Sequence, residues 1–203
     1  MVATFIQGLK FIFWMDIILF KFHIITKNAY LLEKPLPGIE LREARPEEYP
    51  ELLEFSADFR KQEMLERLAL NHKCVIAWEK GKIVFYGWIG INKVWLSFLG
   101  KYIEFPQDTA YFYNTFTDED YRGKMLLPSF ISYAREFCAD NNMPFGFTHV
   151  FPETGLPVRA YSKLVGADKI YVVRFQRRLG IKSYSEREIS IKEAAKLTKR
   201  ARK

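Results

Sequence analysis

Residues Tyr111 to Asn141 constrain this chain more than any other stretch. Tyr111-Phe-Tyr-Asn-Thr-Phe-Thr117 is aromatic and β-branched, which suits a strand. Leu126, Leu127, Phe130, Ile131, Ala134, Phe137 and Cys138 recur at steps of three and four, the spacing of an amphipathic helix. Between them lie the acidic run Asp118-Glu-Asp120 and then Arg122-Gly123-Lys124. A strand that turns through a Gly-bearing basic loop into a helix aims unpaired backbone N–H groups outward. The spacing therefore predicts a phosphate-binding turn.

The rest of the chain supplies elements to pack around that one. At 203 residues with 49% hydrophobic content, it is large enough for a packed core. Ile39 to Ala44 alternates apolar and charged residues and reads as a half-buried strand. Glu47 to Ala57 and Lys61 to Leu70 have helical spacing. Cys74 to Trp78 and Ile83 to Ile91 read as a hairpin turning at Lys80-Gly81. Asn92 to Asp108, rich in aromatic residues, either continues the sheet or covers a pocket. Phe145 to Val150 is a strand, Pro157 to Leu164 a short helix closed by Gly166, and Lys169 to Phe175 a last strand. Strands interleaved with helices in this order predict an α/β (α+β) fold. Its expected form is a mixed, mostly antiparallel twisted sheet of six to seven strands with helices on both faces.

Three segments divide the chain. Residues 1–36 hold an apolar run and a short strand over Asn28 to Leu36, residues 37–180 form the main domain, and 181–203 are a basic tail. Phe5, Leu9, Ile12, Phe13, Ile17, Phe20 and Ile24 step at helical spacing, although Lys10, Asp16, Lys21 and His23 interrupt them. The charges argue against a membrane span, and the flanks do not fit a signal peptide. A helix packed on the domain, a membrane-interface helix over residues 5–25 and an extension ahead of a start at Met15 all remain open. The tail from Ile181 to Lys203 has eight Lys/Arg and three Glu, a net +5 of the chain's +7. The remainder is near neutral, which disfavours nucleic acid as a partner. Ser190 to Lys203 reads as a basic helix or a solvated tail. Cys74 and Cys138 fall at apolar positions and read as buried reduced thiols, favouring a reducing compartment. Three histidines without ligand spacing give no metal site.

The element order, with Arg-Gly-Lys opening the long helix, resembles the GNAT superfamily of N-acetyltransferases over about Ile39 to Gln176. Tyr121-Arg-Gly-Lys-Met-Leu-Leu127 is similar to that family's pyrophosphate loop, with Met125 and Leu127 standing where it has glycine or alanine. Gly155-Leu-Pro-Val-Arg-Ala-Tyr-Ser-Lys163 resembles its late Tyr-x-Lys segment, with Gly155 in place of the usual Asn. The resemblance implies a cytoplasmic acyltransferase that uses acetyl-CoA, or another acyl-CoA, as co-substrate. Its acceptor would be a primary amine of a small molecule, an amino sugar or a peptide. It further implies that Phe116 and Thr117 meet the pantetheine arm. The pyrophosphate would fall to Arg122, Gly123, Lys124, Met125 and Leu126. Tyr161 would reprotonate the leaving thiolate. A general base is left among Glu104, Asp108 and His149. A non-catalytic acyl-CoA-sensing or partner-binding module is the alternative, and a dimer is among the possible assemblies.

Overall fold

The computed structural model describes residues 14–26, 37–56, 61–96, 101–152, 157–178 and 181–201. The chain divides into two compact units, Ile24–Thr148 and a second made of Met1–His23 with His149–Lys203.

The first unit contains the predicted strand–turn–helix. Its sheet has the order β2 (Glu40–Glu43), β3 (Lys73–Glu79), β4 (Lys82–Ile91), β7 (Thr109–Thr117) and β8 (Phe145–Val150). Neighbours in this series are antiparallel until β8, which runs parallel to β7. One face is covered by α1 (Tyr49–Phe55) and α2 (Lys61–Ala69). Here Leu52 and Met64 bury against Cys74, Ile76, Tyr86 and Trp88. The Tyr86 hydroxyl, lodged in this layer, is satisfied by Ser56 Oγ at 3.0 Å, as a buried polar group must be.

The other face is covered by α3 (Leu126–Asp140), whose Leu126, Phe130, Ile131, Ala134 and Cys138 are buried. Phe130 packs on Phe85 and Phe112. It lies so close to Gly87 that a Cβ there would meet the ring at 2.8 Å. Glycine is required at this position by the close approach of helix to sheet. Both cysteines are buried free thiols, and burial pushes Cys138 up to about 12.

The described residues between 92 and 108 form neither a continuation of the main sheet nor a plain loop. β5 (Lys93–Leu96) and β6 (Lys101–Glu104) make a separate antiparallel hairpin in which Trp95 faces Tyr102.

The second unit holds β1 (Trp14–Ile25), β9 (Ala167–Arg178) and β10 (Ile181–Glu188), with α4 (Val158–Val165) and α5 (Ile191–Ala201). The strand order is β10-β9-β1. β10 pairs antiparallel with β9. Asp16 bonds Arg174 while His23 bonds Asp168 at 2.8 Å, so β1 also runs antiparallel to β9. The helix expected through Phe20 and Ile24 is therefore corrected to a strand, and the described part of residues 5–25 is no amphipathic membrane helix. Phe20, Phe22 and Ile24 are fully buried, with the half-buried Lys21 and His23 alternating between them. That is a period of two. The strand expected over Asn28 to Leu36 lies outside the described residues.

The expected tail is likewise structured. Lys21 bridges to Glu186 of β10 at 2.6 Å. Ser190 caps α5 by accepting the Glu193 N–H at 3.2 Å. Leaving the separate β5–β6 pair aside, the described sheet strands number three in this unit and five in the other, eight where six to seven were expected. No helix among the described residues is long and apolar enough to cross a membrane.

Candidate functional site

β7 is the strand on which the candidate site is built. Its parallel register with β8 runs from Thr109↔Phe145 to Phe112↔Thr148, and β7 then continues to Thr117. In the same region the pairing with β4 slips. Trp88 opposes Tyr113 and Tyr86 opposes Phe116, so Asn114 and Thr115 together face Gly87. Asn114 takes a left-handed backbone, φ 46°, a conformation that Asn tolerates better than most residues. This β-bulge twists the strand where it parts from its parallel neighbour.

Two side chains from elsewhere hold the bulge. With the Asn114 amide turned so that its oxygen faces α2, that oxygen accepts from Arg67 Nη1 and Nη2 at 2.8 and 2.9 Å. The same guanidinium lies over the rings of Trp88 and Tyr113, 5.0 and 5.2 Å from their centroids. On the other side of Tyr113, His72 Nδ1 is 2.8 Å from the hydroxyl and its Nε2 is 2.7 Å from the Lys93 carbonyl. A carbonyl only accepts, so Nε2 carries the proton and Nδ1 accepts from Tyr113. Burial lowers the His72 pKa, consistent with a neutral ring. No periodicity or motif in the sequence points to Arg67 or His72. Asn114, a turn-former inside a strand-like run, was the one visible signal of the bulge.

Beyond β7 the chain makes a short 3-10 turn over Glu119–Tyr121, capped by Asp118, which accepts the Asp120 N–H at 3.0 Å. Gly123 at φ 79° and Met125 at φ 61° then take the chain into α3 through two left-handed residues. Met125 is the N-cap, and the first i→i−4 bond of the helix runs from Ser129 N–H to its carbonyl at 3.0 Å. Pro128 has no N–H to offer, so Leu126 and Leu127 are the first-turn amides left to meet a ligand. Met125 occupies a backbone conformation that favours glycine, and its side chain is 38% exposed.

The turn's side chains carry mixed charge. Arg122 pairs with Glu119 at 3.1 Å, and Lys124 sits 4.0 Å above the Tyr121 ring. Lys82 approaches that ring at 5.1 Å and pairs with Asp118 at 3.7 Å. Tyr121 is anchored through a short hydrogen bond to Glu79, and that carboxylate pushes the phenol up to about 12.

The nine expected ligand and catalytic positions of the first unit and its loops are distributed as follows. Phe116, Thr117, Arg122, Gly123, Lys124, Met125 and Leu126 follow one another from the end of β7 into α3. The Phe116 ring stacks on Tyr86, leaving its backbone at the strand edge. Glu104 ends β6 opposite Lys93, and with Asn71, Asn92, Phe105 and Gln107 it lines a cleft of about 440 Å³. Asp108 is exposed and accepts from the Thr109 hydroxyl at 3.1 Å. His149 and Tyr161 belong to the second unit. The Tyr161 ring packs edge-on against Phe22 at 4.9 Å on the buried face of α4. His149 lies edge-on to Phe151 at 5.3 Å, and desolvation lowers it to about 4.

No protein-family model matches the chain. No curated protein matches it in sequence. Solved structures do match it in shape. One is a GCN5-related N-acetyltransferase from Sphaerobacter thermophilus, with TM-score 0.54 and 14% identity over 88% of this chain and 58% of that one. Another is an acetyltransferase of the GNAT family from Colwellia psychrerythraea, with TM-score 0.56 and 11% identity over 81% of this chain and 57% of that one. A third is a GCN5-related glucosamine N-acetyltransferase region of a fungal multi-domain GH3 β-N-acetylglucosaminidase, with TM-score 0.53 and 12% identity over 92% and 22%. The chain thus spans less than two thirds of the length of each. Taken with the parallel pair that parts, the bulge and the turn that opens the long helix, these likenesses show that the chain has the GNAT N-acetyltransferase fold.

Proposed function

We propose that this chain is an acyl-CoA-dependent N-acyltransferase, with acetyl-CoA as the donor and a primary amine as the acceptor. The observation that carries the reading is β7 itself, whose register with β8 ends at Phe112 while the strand runs on to a turn with two left-handed residues. A strand edge offers backbone N–H and C=O groups to an extended amide chain, as in strand addition. The pantetheine arm is such a chain. Arg122, Lys124 and the amides of Gly123, Leu126 and Leu127 would then receive the pyrophosphate. Met125 is 38% exposed at this turn, which is compatible with an anion approaching the amides.

The reaction is direct attack. The neutral amine nitrogen forms a bond to the thioester carbonyl carbon, the C–S bond breaks, and the thiolate takes a proton while the new amide nitrogen loses one. The chain's contribution is to position the two reactants and to place N–H donors where the carbonyl oxygen gains charge. The resemblance of the Tyr-x-Lys segment would make Tyr161 the proton donor, and Glu104, Asp108 and His149 are the candidates for the base.

Purified protein is expected to gain thermal stability with acetyl-CoA and to release CoA with an amine acceptor. Arg122→Ala with Lys124→Ala should weaken donor binding, and Tyr161→Phe should lower turnover more than binding. Absence of any thermal shift with acyl-CoAs from acetyl to palmitoyl would overturn the reading. A second reading is binding of acyl-CoA without turnover. It draws support from the Glu119 carboxylate that partly neutralises Arg122 beside the turn. Donor binding with no CoA release across an amine panel would favour it.

A further inference from the structure

Charge is divided between the two units far more sharply than between the basic tail and the rest of the chain. Met1–His23 with His149–Lys203 contains sixteen Lys/Arg and six Asp/Glu, a net +10. Ile24–Thr148 contains fifteen and eighteen, a net −3. Six of the second unit's cations, from Arg159 to Arg178, lie ahead of the tail, so the polarity belongs to that unit as a whole. Charge segregated in this way suits a surface that meets a polyanion.

The unit's described carboxylates are already in use. Asp16 is engaged by Arg174, Asp168 by His23, Glu186 by Lys21, Glu188 by Lys169 and Glu193 by Arg187. Arg159, Lys163, Lys192, Lys196 and Lys199 form no ion pair among the described residues. Of these five only Lys196 contributes, after Arg187, to the lowered pKa of Glu193. The five are grouped on two helices. α4 buries Val158, Tyr161, Ser162 and Val165, which leaves Arg159 and Lys163 exposed at i and i+4. α5 buries Ala194 and Thr198, and Lys192, Lys196 and Lys199 are exposed at i, i+4 and i+7. The helices pack against each other, so both stripes belong to the exposed side of one helix pair.

Two observations select a lipid bilayer over a nucleic acid. The exposed face of α5 is apolar as well as basic, because Ile191, 41% exposed, and the exposed Ala195 stand beside the lysines. Residues 1–13, outside the described residues, contain Phe5, Ile6, Leu9, Phe11, Ile12 and Phe13 with a single charge at Lys10, and they lead into β1 of this same unit. Stable attachment to a bilayer takes an apolar and a basic signal together, whereas a phosphate backbone is met chiefly by charge. We infer that the α4–α5 face of the second unit docks on an anionic phospholipid surface. This surface is independent of the acyltransferase reading and would serve a catalytic and a non-catalytic chain alike.

Flotation of the full chain with vesicles provides the test. Wild-type protein should bind vesicles of phosphatidylcholine mixed with phosphatidylserine at least about tenfold more tightly than phosphatidylcholine alone, and raised salt should weaken that binding. Each basic residue near such a surface multiplies binding by about fivefold. Lys192→Ala with Lys196→Ala and Lys199→Ala should therefore weaken binding to the mixed vesicles by about a hundredfold, and Arg159→Ala with Lys163→Ala by about tenfold or more. Alanine suits an exposed helix position, so the thermal midpoints should stay close to wild type. If one helix variant unfolds, the other decides. Lys61→Ala with Lys73→Ala removes charge from the first unit and should leave binding within about twofold. Equal binding to both kinds of vesicle, helix variants that bind like wild type or no better than the first-unit variant, or no vesicle binding at all overturns the inference. So does binding to a random single-stranded RNA with none to the vesicles, which would make the basic face a nucleic-acid surface instead.

Discussion

Removing one oxygen, in Tyr113→Phe, tests the hydrogen-bond chain beneath the bulge. Tyr113 is 6% exposed and His72 2%. The hydroxyl donates to His72 Nδ1 at 2.8 Å, and the ring's other nitrogen is committed to the Lys93 carbonyl. Water has little access, so the substitution leaves a buried acceptor without its donor. Such a group costs about 1–3 kcal/mol, and the absence of any change in ring volume means that no cavity adds to it. The expected loss is about 2 kcal/mol, or about 4–8 °C in Tm for a chain of this length. Denaturant unfolding should show a lower midpoint at unchanged slope. His72→Leu removes the acceptor, and the double variant should lose less than the sum, with a coupling of about 1–2 kcal/mol. A loss below about 0.5 kcal/mol for Tyr113→Phe, or additive single effects, would refute the tautomer and the bond assigned here.

Three further outcomes follow from separate features. Desolvation holds His149 at about 4 against about 6.5 in an unfolded chain. The unfolded state therefore binds the proton first, and stability present above pH 6.5 is lost as pH falls towards 4. The difference reaches up to about 2 kcal/mol at pH 5, and a pH series of Tm on wild type and His149→Gln should show the slope shrinking in the variant. At Met125 the left-handed backbone costs a side chain roughly 1–2 kcal/mol. Met125→Gly should consequently lie within about 1 kcal/mol of wild type or above it, while Met125→Val should be clearly less stable in the same unfolding assay. Phe22→Ala, at a fully buried position of β1, should cost about 3–5 kcal/mol. A loss below about 1 kcal/mol would be inconsistent with a core strand.

The elements most legible in the sequence were those whose period and boundaries agreed. The β3–β4 hairpin at Lys80-Gly81, α3 with its apolar stripe, and α4 with Gly166 left-handed at its end all combine a clear spacing with a stop signal. β1 was misread because two periods coexist in it. Phe13, Ile17, Phe20 and Ile24 satisfy helical spacing, whereas Phe20, Phe22 and Ile24 against Lys21 and His23 satisfy alternation, and sheet pairing selects the second. β10 was missed because it is polar on both sides and paired on one edge only, so burial leaves little pattern in its residues. Within the site, the turn from Arg122 to Leu126 was legible because its members are consecutive. Arg67 and His72 were not, because a contact that spans tens of residues leaves no spacing to read.

β10 stands at the end of its strand order, so its outer edge presents backbone groups over eight residues. An exposed edge of that length is a template for pairing with another chain. The strand itself is charged: Glu186, Arg187 and Glu188 are each tied by an ion pair to Lys21, Glu193 or Lys169 of the same unit. The ion pairs keep carboxylates and a guanidinium along the strand where an approaching copy would have to strip them of water. Ile181 and Tyr184, 75% and 56% exposed, are the residues that an unprotected edge would offer for self-association. Glu186, Arg187 and Glu188 are thus the charges that a copy pairing with this strand would meet beside Ile181 and Tyr184.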